Sequence, residues 1–480
     1  MIEKMIIARA GCGKTTSLVR EYLNLSQSYS NVYALTHTIM GVKVLLSRIK
    51  DKTQKPYGKL KNNIRTLHSL AISLIDDKYK IIGNMIISKR YITPAILKKH
   101  LKEEYNIEWD KKMYQEYMIM KYDNRVVLSQ SKLLFFQAID SIKRKYNYLH
   151  LEDVFTIELA KKLESDYVLI DEAQDITYEE YDFLKRAFGN TRFIFVGDSA
   201  QTIFEYIGAS SSYFRQIENA AKEVDYITAS YRCPKKVCQL ASSVISLLDD
   251  ETNTDFCANR DIEGTIKLQL FDQTMDFLED KMDEIELENS ETKKIYVLSF
   301  TKYSSWKIEA FFLEQGLPFW THEEGEIKFC IDSILRKLTD FNQSRAFGAP
   351  EKTKKQRKNK KEYNILNDCS SFRDLGVLNE KELSIFERYN KKYSFSELKR
   401  LNKIKKPPIV ITTYHKSKGD EADTVVLNCH LDDFLDPTQD IDAFLRVLYV
   451  GITRTRNELV IFAENEEEKY FKLIKKLLNY

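Results

Sequence analysis

Lys4-Met-Ile-Ile-Ala-Arg-Ala-Gly-Cys-Gly-Lys-Thr-Thr16 is the stretch on which the fold turns. Its apolar residues run to Ala8 like a buried strand, the chain then breaks into glycines, and it closes on Gly13-Lys14-Thr15. Strand, glycine-rich turn and helix N-terminus in that order wrap backbone N–H groups around phosphate, while the lysine reaches the β/γ-phosphates and the threonine hydroxyl holds Mg²⁺. On that pattern Ala10, Gly11, Cys12, Gly13, Lys14, Thr15 and Thr16 form a nucleotide cradle. The match to GxxxxGK(S/T) is imperfect because Ala8 stands where the first glycine belongs, so this stretch alone leaves open a glycine turn that binds nothing.

A second stretch narrows the choice. Val168-Leu-Ile-Asp-Glu-Ala-Gln-Asp175 is an apolar run ending in paired carboxylates. In such a pair Asp171 can hold Mg²⁺ and Glu172 can activate a water for attack on phosphorus. Either motif alone has a bland reading as a turn or a surface acid pair; both in one chain favour an NTP site with Mg²⁺.

At 480 residues the chain is too long for one core and is expected to hold two to four domains. Lys and Arg number 74 against 71 Asp and Glu, so the net charge of +3 announces no nucleic-acid partner and any basic track must be local. Seven cysteines are scattered without a CxxC pair or histidines at zinc spacing, which reads as reduced thiols in a cytoplasmic setting. No segment approaches the roughly 18 apolar residues of a membrane span, and no signal-peptide pattern opens the chain. Heavy use of Lys, Ile, Asn and Tyr points to an AT-rich genome.

Taken in order, a helix over 15–25, a strand over 31–36 and a helix over 39–50 make a βαβ opening, which favours a parallel sheet with ligands at the carboxyl ends of its strands. Residues 74–163 read as a mainly helical insertion, with amphipathic stretches over 94–105 and 132–146. Strands return at 167–171 and 192–198, and a second α/β unit is expected to begin near Val224, with a helix over 234–248 and strands near 265–270, 295–299, 408–413, 424–427 and 459–462. The expected organisation is a first core over 1–73 and 164–223, the helical insertion 74–163, a second core over 224–325 and 407–480, and a reduced second insertion over 326–406. That last segment carries the basic run Lys352-Thr-Lys-Lys-Gln-Arg-Lys-Asn-Lys-Lys361, a solvated loop or an arm contacting phosphates.

The order of the motifs resembles superfamily 1 helicases of the UvrD/Rep-like group, in which the phosphate loop characteristically begins with alanine, as at Ala8. The resemblance implies two RecA-like parallel-sheet P-loop cores, each interrupted by an inserted, mainly helical subdomain. It implies that Lys14, Glu172, Gln201, Arg232 and Arg454 carry catalysis and that Thr15 and Asp171 hold Mg²⁺. Val196-Gly-Asp-Ser-Ala-Gln-Thr-Ile-Phe204 resembles the third motif, with Gln201 as γ-phosphate sensor, and Tyr231-Arg232 resembles the pair in which the ring stacks on the base and the guanidinium meets phosphate. Gly451-Ile-Thr-Arg454 matches the sixth motif, with Arg454 the second arginine, and ATP is expected between the cores. Thr412-Thr-Tyr-His-Lys-Ser-Lys-Gly-Asp-Glu421 resembles the fifth, with Glu421 accepting from the ribose. For the nucleic-acid track the resemblance implies Thr36, His68, Tyr206, Thr413 and His415.

Departures from the family shape the remaining expectations. Few residues precede the phosphate loop, leaving no room for an adenine-reading glutamine motif, so weak discrimination among NTPs is expected. Leu35-Thr36-His37 replaces the usual Phe-Thr-Asn, and the stretch after Arg454 is short, which favours translocation over unwinding and fits a compact viral or mobile-element gene. Lys418-Gly419, where the opposite-polarity branch has Gln-Gly, points to 3′→5′ movement. The expected activity is a DNA-dependent ATPase acting as translocase or helicase, as a monomer on single-stranded DNA or a single/double-strand junction. A protein partner in replication, repair or recombination is compatible with that reading, and no membrane partner is expected. The rival is a DNA-binding scaffold that uses the nucleotide as a switch.

Overall fold

The computed structural model describes residues 1–53, 57–83, 90–120, 129–205, 208–249, 255–288, 293–323, 326–347, 377–404, 407–430 and 441–478; Tyr206 and the basic run 352–361 lie outside them. The chain divides into two compact units, Met1–Tyr231 with Leu248–Phe256, and Arg232–Leu247 with Cys257–Tyr480.

In the first unit, in chain order, β1 (Ile2–Ala8), α1 (Lys14–Ser28), β2 (Val32–Thr36), α2 (Ile39–Lys50) and β3 (Ile64–Thr66) lead to three short strands, β4 (Lys80–Ile82), β5 (Tyr91–Ile92) and β6 (Tyr148–His150). After these come β7 (Tyr167–Ile170), β8 (Arg192–Gly197) and β9 (Glu223–Ile227). The main sheet is parallel throughout, in the order β3-β2-β7-β8-β1-β9. Because β7, β8 and β1 are neighbours, the turns that follow them emerge side by side at one carboxyl edge.

Strand alternation explains why these apolar runs lack a polar side. Met5, Ile7, Val168, Ile170, Phe193 and Phe195 face one core with Leu67, Leu70, Phe183 and Phe214. Ile6, Leu169, Ile194 and Val196 face the other, against Leu18, Tyr22 and Leu45. Burying each such side chain stabilises the fold by roughly 1.5–3 kcal/mol. Helix α2 starts where its cap dictates, the Thr38 side chain accepting the Gly41 N–H.

Between β3 and β7, helices Ala95–Tyr105, Lys111–Ile119 and Gln130–Tyr146 close on their own core of Leu97, Leu101, Tyr117, Phe135 and Ile139. Beside these helices β4, β5 and β6 form a small parallel sheet.

One boundary differs from the expected one. Glu223–Ile227 pairs with β1 and the first unit continues through Tyr231, whereas the sequence reads the second unit from Val224. The strand lies at the sheet edge and its residues are exposed or half-buried, so Glu-Val-Asp-Tyr-Ile carries too little apolar signal to declare its sheet.

The second unit holds a seven-stranded sheet in the order Thr265–Leu270, Thr455–Ala463, Ala422–Asn428, Ile295–Ser299, Ile409–Thr413, Trp320–Glu323, Glu326–Phe329. All its pairings are parallel except the last. Glu326–Phe329, expected in the second insertion, thus closes the edge of this sheet as a hairpin strand. Ile295, Val297, Ile409, Ile411, Val426 and Val460 pack one face against Met275, Leu278, Ile308 and Phe312. Among the described residues no helix is long and apolar enough to cross a membrane.

Candidate active site

The phosphate loop takes its shape from two left-handed glycines, Gly11 at φ 71° and Gly13 at φ 89°, a conformation that side chains with a Cβ disfavour. Gly13 occupies the N-cap position of α1, where no side chain caps the helix and no acidic residue stands in the first turn. The N-terminal N–H groups and the positive end of α1 are therefore left for an anion. The loop is held from behind: Tyr231 N–H donates to Gly11 O at 3.0 Å and the Ser230 hydroxyl to Ala10 O at 2.9 Å. These bonds set Tyr231, 63% exposed, beside the loop. Cys12 is buried; Thr15 is half-buried and Thr16 exposed, its hydroxyl accepting from Arg48 at 3.0 Å.

Asp171 and Glu172 follow β7. Asp171 is 4% exposed, and burial together with the Glu172 carboxylate pushes its carboxyl up to about 7 even though Lys14 pulls the other way. A buried carboxylate so poorly neutralised fits a cation. Among the described residues no cluster of three His, Cys, Asp or Glu side chains forms a metal cage. One carboxylate, the Thr15 hydroxyl and substrate phosphates are the donor set Mg²⁺ accepts. Glu172 has φ 55°, a left-handed conformation that costs a non-glycine residue on the order of 1–3 kcal/mol and recurs at functional sites.

After β8, Asp198 is fully buried against Arg9, Nη1 to Oδ1 at 2.8 Å. Burial alone would raise the Asp198 carboxyl, but the Arg9 and Lys14 charges hold it below its ordinary value. Gln201 donates its amide to Asp198 Oδ2 at 2.7 Å. Gln174, to which the sequence reading gave no role, joins the two loops: its nitrogen donates to Glu172 Oε2 at 2.6 Å and its oxygen accepts Asp198 N–H at 3.0 Å. Gly197 must be glycine here, since a Cβ would lie 2.8 Å from both Gln174 Oε1 and Phe214 Cε2.

Thr36 and His68 lie at the same carboxyl edge, further along. Thr36 ends β2, is buried, and is in register with Thr66 of β3, whose side chain caps the helix carrying His68. The His68 ring meets Phe155 edge-on at 4.7 Å, and burial lowers its pKa. His37 meets Glu180 at 3.3 Å.

In the second unit, Arg232 Nε donates to Glu421 Oε2 at 2.8 Å and Arg456 Nη1 to Oε1 at 2.5 Å. Burial would raise the Glu421 carboxyl; the two guanidinium groups lower it overall. Arg454, 2% exposed, donates to Val450 O at 2.8 Å and Asp420 O at 3.2 Å. Arg232, Glu421 and Arg454 thus share one corner, and Arg456 is a member the sequence reading missed. Thr413 ends its strand and His415 opens a short helical turn after it, both half-buried.

Two family models match the chain: the AAA domain over residues 3–207 and the UvrD-like helicase C-terminal domain over 327–466. The chain is 24% identical to a probable DNA helicase II homolog of Mycoplasma capricolum over 380 residues, covering 70% of this chain and 52% of that protein. A probable DNA helicase II homolog of Mycoplasma pneumoniae is 23% identical, over 52% of this chain and 41% of its own. The F-box DNA helicase protein 1 of Schizosaccharomyces pombe is 24% identical, over 62% and 34%. The chain therefore spans about half or less of the length of these curated relatives. Phosphate loop, acidic pair and Gly-Asp loop lie within the first matched segment, and the fifth and sixth motifs within the second. With the motifs in that order on two parallel-sheet units, the chain belongs to the UvrD/Rep-like group of superfamily 1 helicases.

Proposed function

We propose that this chain is a DNA-dependent ATPase that moves 3′→5′ along single-stranded DNA. The observation that carries the reading is the Gln174 bridge, which holds the acidic pair and the Gly-Asp loop as one assembly beside the phosphate loop. A surface acid pair or an idle glycine turn has no use for such a bridge.

In the proposed reaction Lys14 binds the β- and γ-phosphates of ATP, Thr15 and Asp171 hold Mg²⁺, and the metal when bound supplies charge neutralisation at the phosphate oxygens. Glu172 accepts a proton from water as its oxygen bonds to the γ-phosphorus, and the bond to the β–γ bridging oxygen breaks, leaving ADP and phosphate. Arg232 and Arg454 take up the developing phosphoryl charge, exchanging hydrogen bonds they make in this structure; groups in that role are worth ~10³–10⁵ in rate. Tyr231 stacks on the base and Glu421 accepts from the ribose. Gln201, tied to Asp198, passes the state of the γ-phosphate to the loops bearing Thr36, His68, Thr413 and His415, proposed contacts of the strand, with Tyr206 proposed to stack on a base.

The test is ATP hydrolysis with and without single-stranded DNA, for the parent and Glu172→Gln. Strong stimulation lost in the variant supports the motor. Retained DNA binding with unstimulated hydrolysis overturns it in favour of a nucleotide-switched scaffold.

A further inference from the structure

The second unit exposes two large aromatic rings together: Tyr303 at 62% and Trp306 at 61%, their centroids 5.8 Å apart and their planes tilted by 48°. Tyr303 sits on the turn after strand Ile295–Ser299 and Trp306 opens the helix Trp306–Gln315 that follows it, and that turn is firmly built. Thr301 N–H donates to the Ser304 hydroxyl at 3.0 Å and Ser304 N–H returns to the Thr301 hydroxyl at 2.9 Å. The buried Asn428 amide holds Ser304 O at 3.0 Å, and the Ser305 hydroxyl donates to Lys302 O at 2.8 Å. Rings carried on a rigid turn lose little freedom when something stacks on them.

The turn's neighbours indicate what would stack. Ser299 is in register with Thr413, Tyr414 N–H donates to Ser299 O at 3.0 Å, and the Phe300 ring packs on Tyr414 at 4.6 Å. The aromatic turn therefore adjoins the loop bearing Thr413 and His415 at the carboxyl edge of the same sheet. Lys302 is exposed on the turn itself, and Lys416 is exposed on the adjoining loop, where its ammonium donates to His322 O at 2.8 Å. Bare rings with an exposed lysine just before them in the chain fit unstacked bases joined by phosphates, whereas the core of a protein interface is depleted of charge.

We propose that Tyr303 and Trp306 form a base-stacking platform for single-stranded DNA, with Lys302 meeting its phosphates. The proposal rests on the single-strand reading above and extends its track in the second unit by a surface that reading does not use.

The experiment measures binding of the full chain to an oligo-dT strand and to an abasic deoxyribose-phosphate strand of equal length, alongside DNA-stimulated hydrolysis. Trp306→Ala is expected to weaken oligo-dT binding by about 5- to 150-fold, the loss of stacking on one base, with abasic binding unchanged. Trp306→Phe keeps most of the affinity, and Tyr303→Ala behaves like a milder Trp306→Ala. Tryptophan fluorescence of the parent is quenched by oligo-dT and not by the abasic strand, and Trp306→Phe removes the quench. Unchanged oligo-dT affinity in both alanine variants, with the parent binding normally, overturns the platform and leaves the rings to a protein partner; so does equal loss on the abasic strand. A parent that neither binds DNA nor hydrolyses ATP faster with it overturns the motor reading, and the platform falls with it.

Discussion

Gln174 accepts the backbone N–H of Asp198 at 3.0 Å, and the same carboxamide donates to Glu172 at 2.6 Å. One side chain thus fixes the proposed base and the start of the loop that carries Gln201. Gln174→Ala removes a hydrogen bond to a charged group and a partner from a buried N–H, each on the order of 1–3 kcal/mol. The expected result is a fall in kcat for DNA-stimulated hydrolysis of about ten- to a hundredfold, with KM for ATP within about threefold of the parent. A matching rise in KM would mean that Gln174 shapes nucleotide binding instead.

Arg9 and Asp198 form an ion pair in which the side chains are 2% and 0% exposed. Breaking such a pair by removing one partner costs about 3–5 kcal/mol, so Arg9→Met should lower the urea midpoint of the first unit by a corresponding amount. The pH dependence distinguishes the parent from the variant. In the parent the Asp198 carboxyl lies below its ordinary value, so its contribution is whole above pH ~4 and fades only as pH falls through the folded value. In the variant Lys14 and the Gln201 amide still oppose burial but Arg9 no longer does, so the carboxyl moves up and the variant loses less stability than the parent as pH falls. The deficit of Arg9→Met should therefore shrink as pH falls from ~7 through ~4 in paired urea titrations.

The contrast between legible and hidden features follows from range. Strands such as Tyr167–Ile170 and Ile295–Ser299 are buried along their whole length, so an unbroken apolar run announces them, and α2 is marked by its Thr38 cap. The phosphate loop and acidic pair are local in sequence and were legible as chemistry. Gln174 was visible within its motif, yet its use depends on Asp198, 24 residues away in sequence, and that partner exists only once β7 and β8 pair. Arg456 was hidden for the same reason, and Glu223–Ile227 because an edge strand need not look buried.

Gly451 lies within helix Ile441–Ile452, where propensity alone would make alanine better by up to about 1 kcal/mol. The structure reverses that sign. A Cβ at 451 would overlap the ring of Tyr414, which is fully buried and donates its hydroxyl to Asn428 O at 3.1 Å. Gly451→Ala should destabilise the second unit by about 1–3 kcal/mol in urea unfolding. Combining it with Tyr414→Val should cost clearly less than the sum of the two single changes, because the shorter side chain vacates the overlap. Simple additivity would show that the two residues do not meet.

Glu421 holds Arg232 through one carboxylate oxygen and Arg456 through the other, at 2.8 and 2.5 Å. Its side chain is 39% exposed, so the pairs contribute little to stability, within about 1 kcal/mol. Glu421→Gln should leave the melting temperature nearly unchanged and yet weaken the hold on Arg232, whose guanidinium is proposed to meet the phosphoryl group. If positioning Arg232 is the larger of its roles, kcat falls at least tenfold and the ratio of ATP to 2′-deoxy-ATP turnover stays that of the parent. If contact with the ribose dominates, the ratio moves toward one and KM for ATP rises while kcat is spared. Steady-state kinetics with the two nucleotides decides between them, and the geometry favours the first, because both carboxylate oxygens are already committed to arginine.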